Sequence, residues 1–357
     1  MRCQICNKDS EEISKYLPFC FDCLKREFPK VKEKISQIHV ATRREFNLPE
    51  GIPKEGIRCG QCGNNCSPGI GERGYCGLIK NEGGKIIFPD LGLLDFYLDP
   101  LPTNCVADWV CPGGTGAGFP KYAYRNGPEY GYENLAVFFR HCTFNCLFCQ
   151  NWHFRKPTSH FYQIEDILSV LNDNISCICY FGGDPIPNIK FALKLSEKIL
   201  SSVNRIFRIC WETNGSANRD YIKRMMELSL ISGGILKIDL KAFSQEISFA
   251  LCGVSNENTI KNIEYCAQFF NKREIPPPLV VSTLLVPGYI GEDEITLMAK
   301  FLAGINKKIP WALLGFSPQF YLSDLPPTSR RQAERALAIA KEFGLENVRL
   351  GNIHLLK

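Results

Sequence analysis

Apolar residues follow two regimes along this chain. From residue 134 onward, short apolar runs (residues 135–139, 177–181, 206–211, 235–240, 279–286 and 311–316) alternate with longer stretches of helical spacing (164–171, 189–200, 219–230, 259–270, 295–302 and 330–343). Short runs bounded by turn residues read as strands buried on both faces, and a 3.6-residue recurrence reads as helices with one apolar face. Strands alternating with helices of this length give parallel βα units. A closed eightfold barrel takes about 250 residues, more than this part of the chain holds. The expectation is therefore an α/β fold, a partial, TIM-like (β/α)6 barrel.

Upstream the periodicity fades. Leu24, Phe28, Val31 and Ile35 mark one amphipathic helix, and Pro49, Gly51, Pro53 and Gly56 mark a linker after it. Residues 57–133 are rich in Gly and Pro and carry no sustained pattern. Three parts are expected: 1–50, a cysteine unit with its linker helix; 51–133, a cysteine- and glycine-rich module; and 134–357, the barrel.

Composition changes this picture in one respect. Hydrophobic content of 45% and charged content of 22% are those of an ordinary globular protein. A net charge of +5, spread along the chain, is too weak to argue for nucleic acid. No eighteen-residue apolar run predicts a membrane span, and MRCQICNKDSEE at the start lacks a secretory apolar core. A cytoplasmic protein is expected, and its 18 cysteines, 13 of them before residue 150, then read as metal ligands rather than disulfides.

The sharpest signal follows the first predicted strand. HCTFNCLFCQNW holds Cys142-x3-Cys146-x2-Cys149. A structural zinc or a closed cubane takes four protein ligands. Three close thiolates hold three irons of a 4Fe–4S cubane and leave the fourth open to a small molecule. The bland alternative is a zinc ion completed by His141 or His153. The loop sits at the C-terminal end of a barrel strand, where such folds carry their chemistry. This spacing, with Phe148 before the last cysteine, resembles the signature of the radical S-adenosylmethionine (radical SAM) superfamily. The resemblance implies a cubane that splits the sulfonium to methionine and a 5′-deoxyadenosyl radical, which takes a hydrogen atom from the substrate.

Later motifs extend the resemblance. Tyr180-Phe181-Gly182-Gly183-Asp184-Pro185 is similar to the family's Gly-Gly-Glu-Pro segment, with the shorter Asp184 as a departure. The bland reading is a tight turn. Glu212-Thr213-Asn214-Gly215, Asp239-Leu240-Lys241, Gly253-Val254 and Val286-Pro287-Gly288, in that order, resemble pyruvate formate-lyase activating enzyme and its relatives. By that resemblance Phe148, Gly182, Gly183, Asp184 and Asn214 bind the cofactor. Glu212, Thr213 and Asp239 hold a monovalent cation, and Asp239 with Lys241 positions substrate. Two neighbouring carboxylates call for a cation between them, although Lys241 alone could neutralise Asp239. Residues 324–328 and 344–352 resemble the radical SAM members of the AmmeMemoRadiSam grouping. So do Cys59, Cys62, Cys66 and the Gly71–Cys76 stretch.

The remaining cysteines divide. Cys3, Cys6, Cys20 and Cys23 have zinc-ribbon spacing, with rubredoxin-like iron as the runner-up. Cys59, Cys62, Cys66 and Cys76 read as ligands of zinc, of one iron or of an auxiliary cluster. Cys105 and Cys111 precede a glycine-rich run, 112–118, read as a loop over the barrel mouth, and Cys177, Cys179 and Cys210 read as core. The leading function is radical chemistry on a protein or peptide, fed by a flavodoxin- or ferredoxin-type electron donor. The alternatives are a cobalamin-using C-methyltransferase acting on a protein such as methyl-coenzyme M reductase, with residues 85–133 giving room for cobalamin; an RNA-modifying enzyme, against which the low charge argues; and a non-catalytic iron–sulfur or zinc scaffold.

Overall fold

The computed structural model describes residues 1–357. Helices α1 (Phe21–Arg26) and α2 (Phe28–Arg44) follow the first cysteines, and Leu24, Val31 and Ile35 are buried as their spacing requires. A short hairpin, β1 (Lys80–Glu82) and β2 (Lys85–Ile87), leads to β3 (Gly92–Pro100) and one helical turn, α3 (Pro112–Thr115). The barrel begins with β4 (Glu133–Phe139), the two-residue β5 (Phe161–Tyr162), α4 (Ile164–Ser169) and β6 (Ile175–Gly182). It continues through α5 (Ile189–Ser202), β7 (Arg208–Thr213), α6 (Arg219–Ser232), β8 (Leu236–Asp239), α7 (Gln245–Cys252) and α8 (Glu257–Ala267). The last elements are β9 (Leu279–Leu285), α9 (Glu292–Ile305), β10 (Trp311–Gly315), α10 (Arg330–Glu342) and β11 (Val348–Gly351).

All expected βα units form. β4, β6, β7, β8, β9, β10 and β11 lie side by side and parallel. Their strands are apolar on both faces because helices cover one side and the barrel interior fills the other. In β6, Tyr180 reaches a helix, its hydroxyl 2.8 Å from Ser196 Oγ on α5. Cys177, Cys179 and Phe181 alternate with it and face inward. No helix is long and apolar enough to cross a membrane.

Three strands of the large sheet, and the β1–β2 hairpin beside it, escaped the sequence pattern. β3 pairs antiparallel with β4 from Leu94↔Phe139 to Pro100↔Glu133, and β5 pairs with β3. β11 adds a parallel strand at the opposite edge. β3 and β11 are half-exposed and carry polar residues inside the run, such as Asp95 and Arg349, so neither has the uninterrupted apolar stretch of a central strand. With β11 and β5 at its ends, the sheet stays open.

The glycine-rich run does not cover the mouth. Residues 101–132 pack against the N-terminal ends and interior of the strands. Glu129 and Arg208, both almost fully buried, form two hydrogen bonds of 2.9 and 2.6 Å, and Ser176 closes the group. Arg208 begins β7, and the Gly113 carbonyl accepts from Glu129 N–H at 3.0 Å. That pair ties the glycine-rich run below the barrel. Residues 85–133, the stretch considered for cobalamin, form β2, β3, α3 and this floor. One apolar core runs from Leu17 and Phe19 through the barrel to Leu345. Cys3, Ile13, Cys20 and Cys23 form a small buried cluster of their own.

Candidate active site

The strands' C-terminal ends surround a cavity of ≈ 310 Å³. Cys142, Cys146, Cys149 and Phe148 line it from the loop after β4, and Gly182, Gly183 and Asp184 from the end of β6. Glu212, Thr213 and Asn214 follow β7, and Asp239 and Lys241 follow β8. Every barrel residue nominated from the sequence thus faces one space.

The three-cysteine loop is held from several sides. Asn145 and Leu147 donate their backbone N–H groups to Cys252 and Leu251 carbonyls, at 2.8 and 2.9 Å. The Asn145 amide donates to His39 Nδ1 at 2.8 Å and to Thr42 Oγ1 at 2.9 Å. His39 Nε2 then donates to the Phe249 and Ala250 carbonyls at 3.1 Å, a tautomer assigned from this pattern. Burial lowers His39 to about 4 and keeps it neutral for that task. Asn214 Nδ2 donates to Thr143 Oγ1 at 2.8 Å and lies 3.7 Å from Cys142 Sγ.

The paired glycines have a protein reason. Gly182 has φ +113°, and a Cβ there would stand 2.3 Å from the Phe139 carbonyl oxygen. A Cβ on Gly183 would meet the His141 carbonyl oxygen at 2.1 Å. These are clashes with backbone, so glycine lets β6 close against the start of the cysteine loop. The Asp184 side chain is committed as well. It accepts from Ile186 N–H at 2.9 Å, Asn214 N–H at 2.7 Å and the Thr213 hydroxyl at 3.0 and 3.1 Å. Burial pushes this carboxyl up to about 7, against those donors, which pull it down.

Thiol geometry bears on what the loop fits. The Cys142, Cys146 and Cys149 sulfurs do not crowd together as the ligands of a single ion do. His141 Nδ1 is 2.9 Å from the Cys76 carbonyl oxygen, His153 stacks on Trp152, and neither joins these cysteines in a compact group of ligands. Three thiols around an open cavity fit a cluster with one free corner. Burial pushes Cys149 up to about 11, opposed by the Arg155 and Lys241 cations. Metal binding must displace those protons.

Several residues here carried no motif. Arg155 is buried and lines the cavity, with Nε unpartnered. Cys252 Sγ lies 3.5 Å from Cys146 Sγ. Lys237 points into the barrel, its Nζ 3.0 Å from Cys105 Sγ, 4.0 Å from Cys179 Sγ and 3.7 Å from Glu212 Oε2. A lysine inside the apolar strand ILKIDL was a signal the sequence offered. The expected cation carboxylates therefore each meet a lysine: Lys237 beside Glu212, and Lys241 at 2.7 Å from Asp239. Away from the cavity, the Cys3, Cys6, Cys20 and Cys23 sulfurs all lie within 4.8 Å of one another. Cys59, Cys62, Cys66 and Cys76 border a smaller cavity together with Thr143.

Residues 136–302 match the family model of the radical SAM superfamily. An uncharacterised protein of Methanocaldococcus jannaschii is 24% identical over 319 residues, covering 87% of this chain and 85% of that protein. A second protein of that organism, named as a glycyl-radical enzyme activating enzyme, is 28% identical over 57% of this chain and 74% of its own length. Pyruvate formate-lyase 1-activating enzyme of Escherichia coli is 23% identical, over 58% of this chain and 88% of its own length.

Proposed function

Because residues 136–302 make this chain a radical SAM protein, related at low identity to glycyl-radical activating enzymes, we propose that it abstracts a hydrogen atom from a protein or peptide substrate. The observation that carries this reading is the single cavity shared by three cysteines, the Gly182–Gly183 turn, and the Asp239–Lys241 pair. When bound at Cys142, Cys146 and Cys149, a 4Fe–4S cluster with S-adenosylmethionine supplies a 5′-deoxyadenosyl radical.

The chain's own residues do the positioning. Arg155 and Lys241 offset negative charge beside the thiolates. Backbone at Gly182 and Gly183, with Phe148 and Asn214 nearby, forms the wall for the cofactor's methionine end. Asp184 braces that wall from behind, through Thr213 and Asn214 N–H. Asp239, held by Lys241 and Ser282, faces the cavity from the next strand and orients substrate. Glu212 Oε2 is buried without a hydrogen bond, which supports a monovalent cation between Glu212, Thr213 and Asp239. The compact Cys3–Cys23 unit suits zinc. The electron donor is of flavodoxin or ferredoxin type.

Anaerobic reconstitution, reduction with S-adenosylmethionine present and product analysis test the reading. Methionine and 5′-deoxyadenosine are expected. S-adenosylhomocysteine beside them would move the assignment to methyl transfer. A cluster signal indifferent to S-adenosylmethionine would overturn it.

A further inference from the structure

Cys59, Cys62, Cys66 and Cys76 are left unused by the reading above. All four border one cavity of ≈ 10 Å³, with Gln61, Gly74, Ile79 and Thr143 around it. The spacing of four thiols reports on what they are shaped to hold. A tetrahedral zinc at about 2.3 Å from each sulfur draws the sulfurs to about 3.8 Å from one another and leaves no room for a water between them. The N-terminal quartet has that compactness: its sulfurs lie mutually within 4.8 Å, with Cys6 and Cys20 at 3.6 Å. Cys59, Cys62, Cys66 and Cys76 border one cavity, but no three of their sulfurs are gathered as closely as those of the N-terminal quartet. Bridging sulfides and several irons span thiols set that far apart; a single tetrahedral ion does not.

The local backbone fits thiolate ligands. Gly60 and Gly77, each directly after a cysteine, have φ of +71° and +81° and turn the chain back over the sulfur. Tyr75 N–H lies 3.3 Å from Cys66 Sγ. Donors of this kind favour the ionised sulfur. The cage also abuts the loop of the first site. The Asn64 amide donates to the Thr143 carbonyl at 2.7 Å, and Thr143 is the residue after Cys142.

We propose that Cys59, Cys62, Cys66 and Cys76 hold an iron–sulfur cluster, distinct from the one assigned to Cys142, Cys146 and Cys149 and seated against Thr143 of that loop. The cage stands on its own residues; only its rank as a second cluster rests on the reading under Proposed function. The test uses the full chain, reconstituted without oxygen and assayed for iron, acid-labile sulfide and zinc. The triple variant C142A/C146A/C149A should keep roughly half of the wild-type iron and sulfide, with a reduced spectrum that ignores added S-adenosylmethionine. C66A/C76A should lose the other half and keep the response to S-adenosylmethionine. If the triple variant fails to fold, Cys142→Ala alone gives the same comparison, and Cys66→Ser with Cys76→Ser replaces the other pair. Zinc, or iron without sulfide, at this cage in the triple variant would overturn the proposal. Failure of the radical reading shows separately, as wild-type protein whose spectrum ignores S-adenosylmethionine while both sets of cysteines still bind iron and sulfide.

Discussion

Asp184→Asn keeps the shape of a side chain that joins the ends of β6 and β7 but exchanges one acceptor oxygen for an N–H donor. In the wild type both oxygens are taken, by Ile186 N–H and the Thr213 hydroxyl on one side and by Asn214 N–H and the same hydroxyl on the other. The side-chain amide must therefore turn an N–H toward one of these donors. A buried donor without an acceptor costs about 1–3 kcal/mol. The carboxyl has an opposing pH term. Burial raises it to about 7 in the fold, against about 3.9 unfolded. Between these values the native state keeps a proton that the unfolded chain has lost. The stabilisation from this group is thus complete below the unfolded value and is lost as pH rises through the folded one, by about 1.4 kcal/mol per pH unit and about 4 kcal/mol in all as an upper bound. Asn has no such slope. Near about pH 5 the protonated carboxyl carries a donor of its own, as the amide does, so the expected result is a variant within about 1–3 kcal/mol of wild type there and gaining on it toward about pH 8. Urea unfolding of the two proteins under one set of anaerobic conditions across that range measures it. Parallel stability curves with a constant gap would refute the reasoning.

Changing any one of Cys142, Cys146 or Cys149 to Ala should abolish 5′-deoxyadenosine formation, measured by chromatography after anaerobic reduction; undiminished product would remove these residues from the site. Cys3→Ala or Cys20→Ala should release zinc and lower the melting temperature while the barrel cluster's spectrum persists. Glu129→Gln strands the buried Arg208 guanidinium and should cost about 3–5 kcal/mol in urea unfolding, whereas replacing both partners by apolar residues of similar volume should recover most of that loss.

The βα repeat was legible because its central strands are buried on both sides and its helices on one, so burial wrote itself into the spacing of apolar residues. β3 and β11 were not, because an edge position lets Asp95 and Arg349 interrupt the run. The cavity-lining cysteines were legible through their close spacing, which a single loop can express. Arg155, Lys237 and Cys252 meet that loop only through the fold: Cys252 reaches Cys146 across 106 residues of chain, a separation no local motif records. The glycine-rich run misled because glycine signals freedom from side-chain clashes without saying which surface comes close. At Gly114 the neighbour is the Asp108 carbonyl, 1.8 Å from where a Cβ would stand, not a ligand at the mouth.

Asn104 and Val106, at the base of the cavity, come from the stretch beneath the barrel rather than from any βα unit. Walls and base are encoded by separate parts of the gene. Residue changes or altered length between 101 and 132 reshape the depth of the chamber while the loop that grips the iron stays untouched. Descendants of one ancestor can in this way keep the same initiating chemistry and drift toward different reactants.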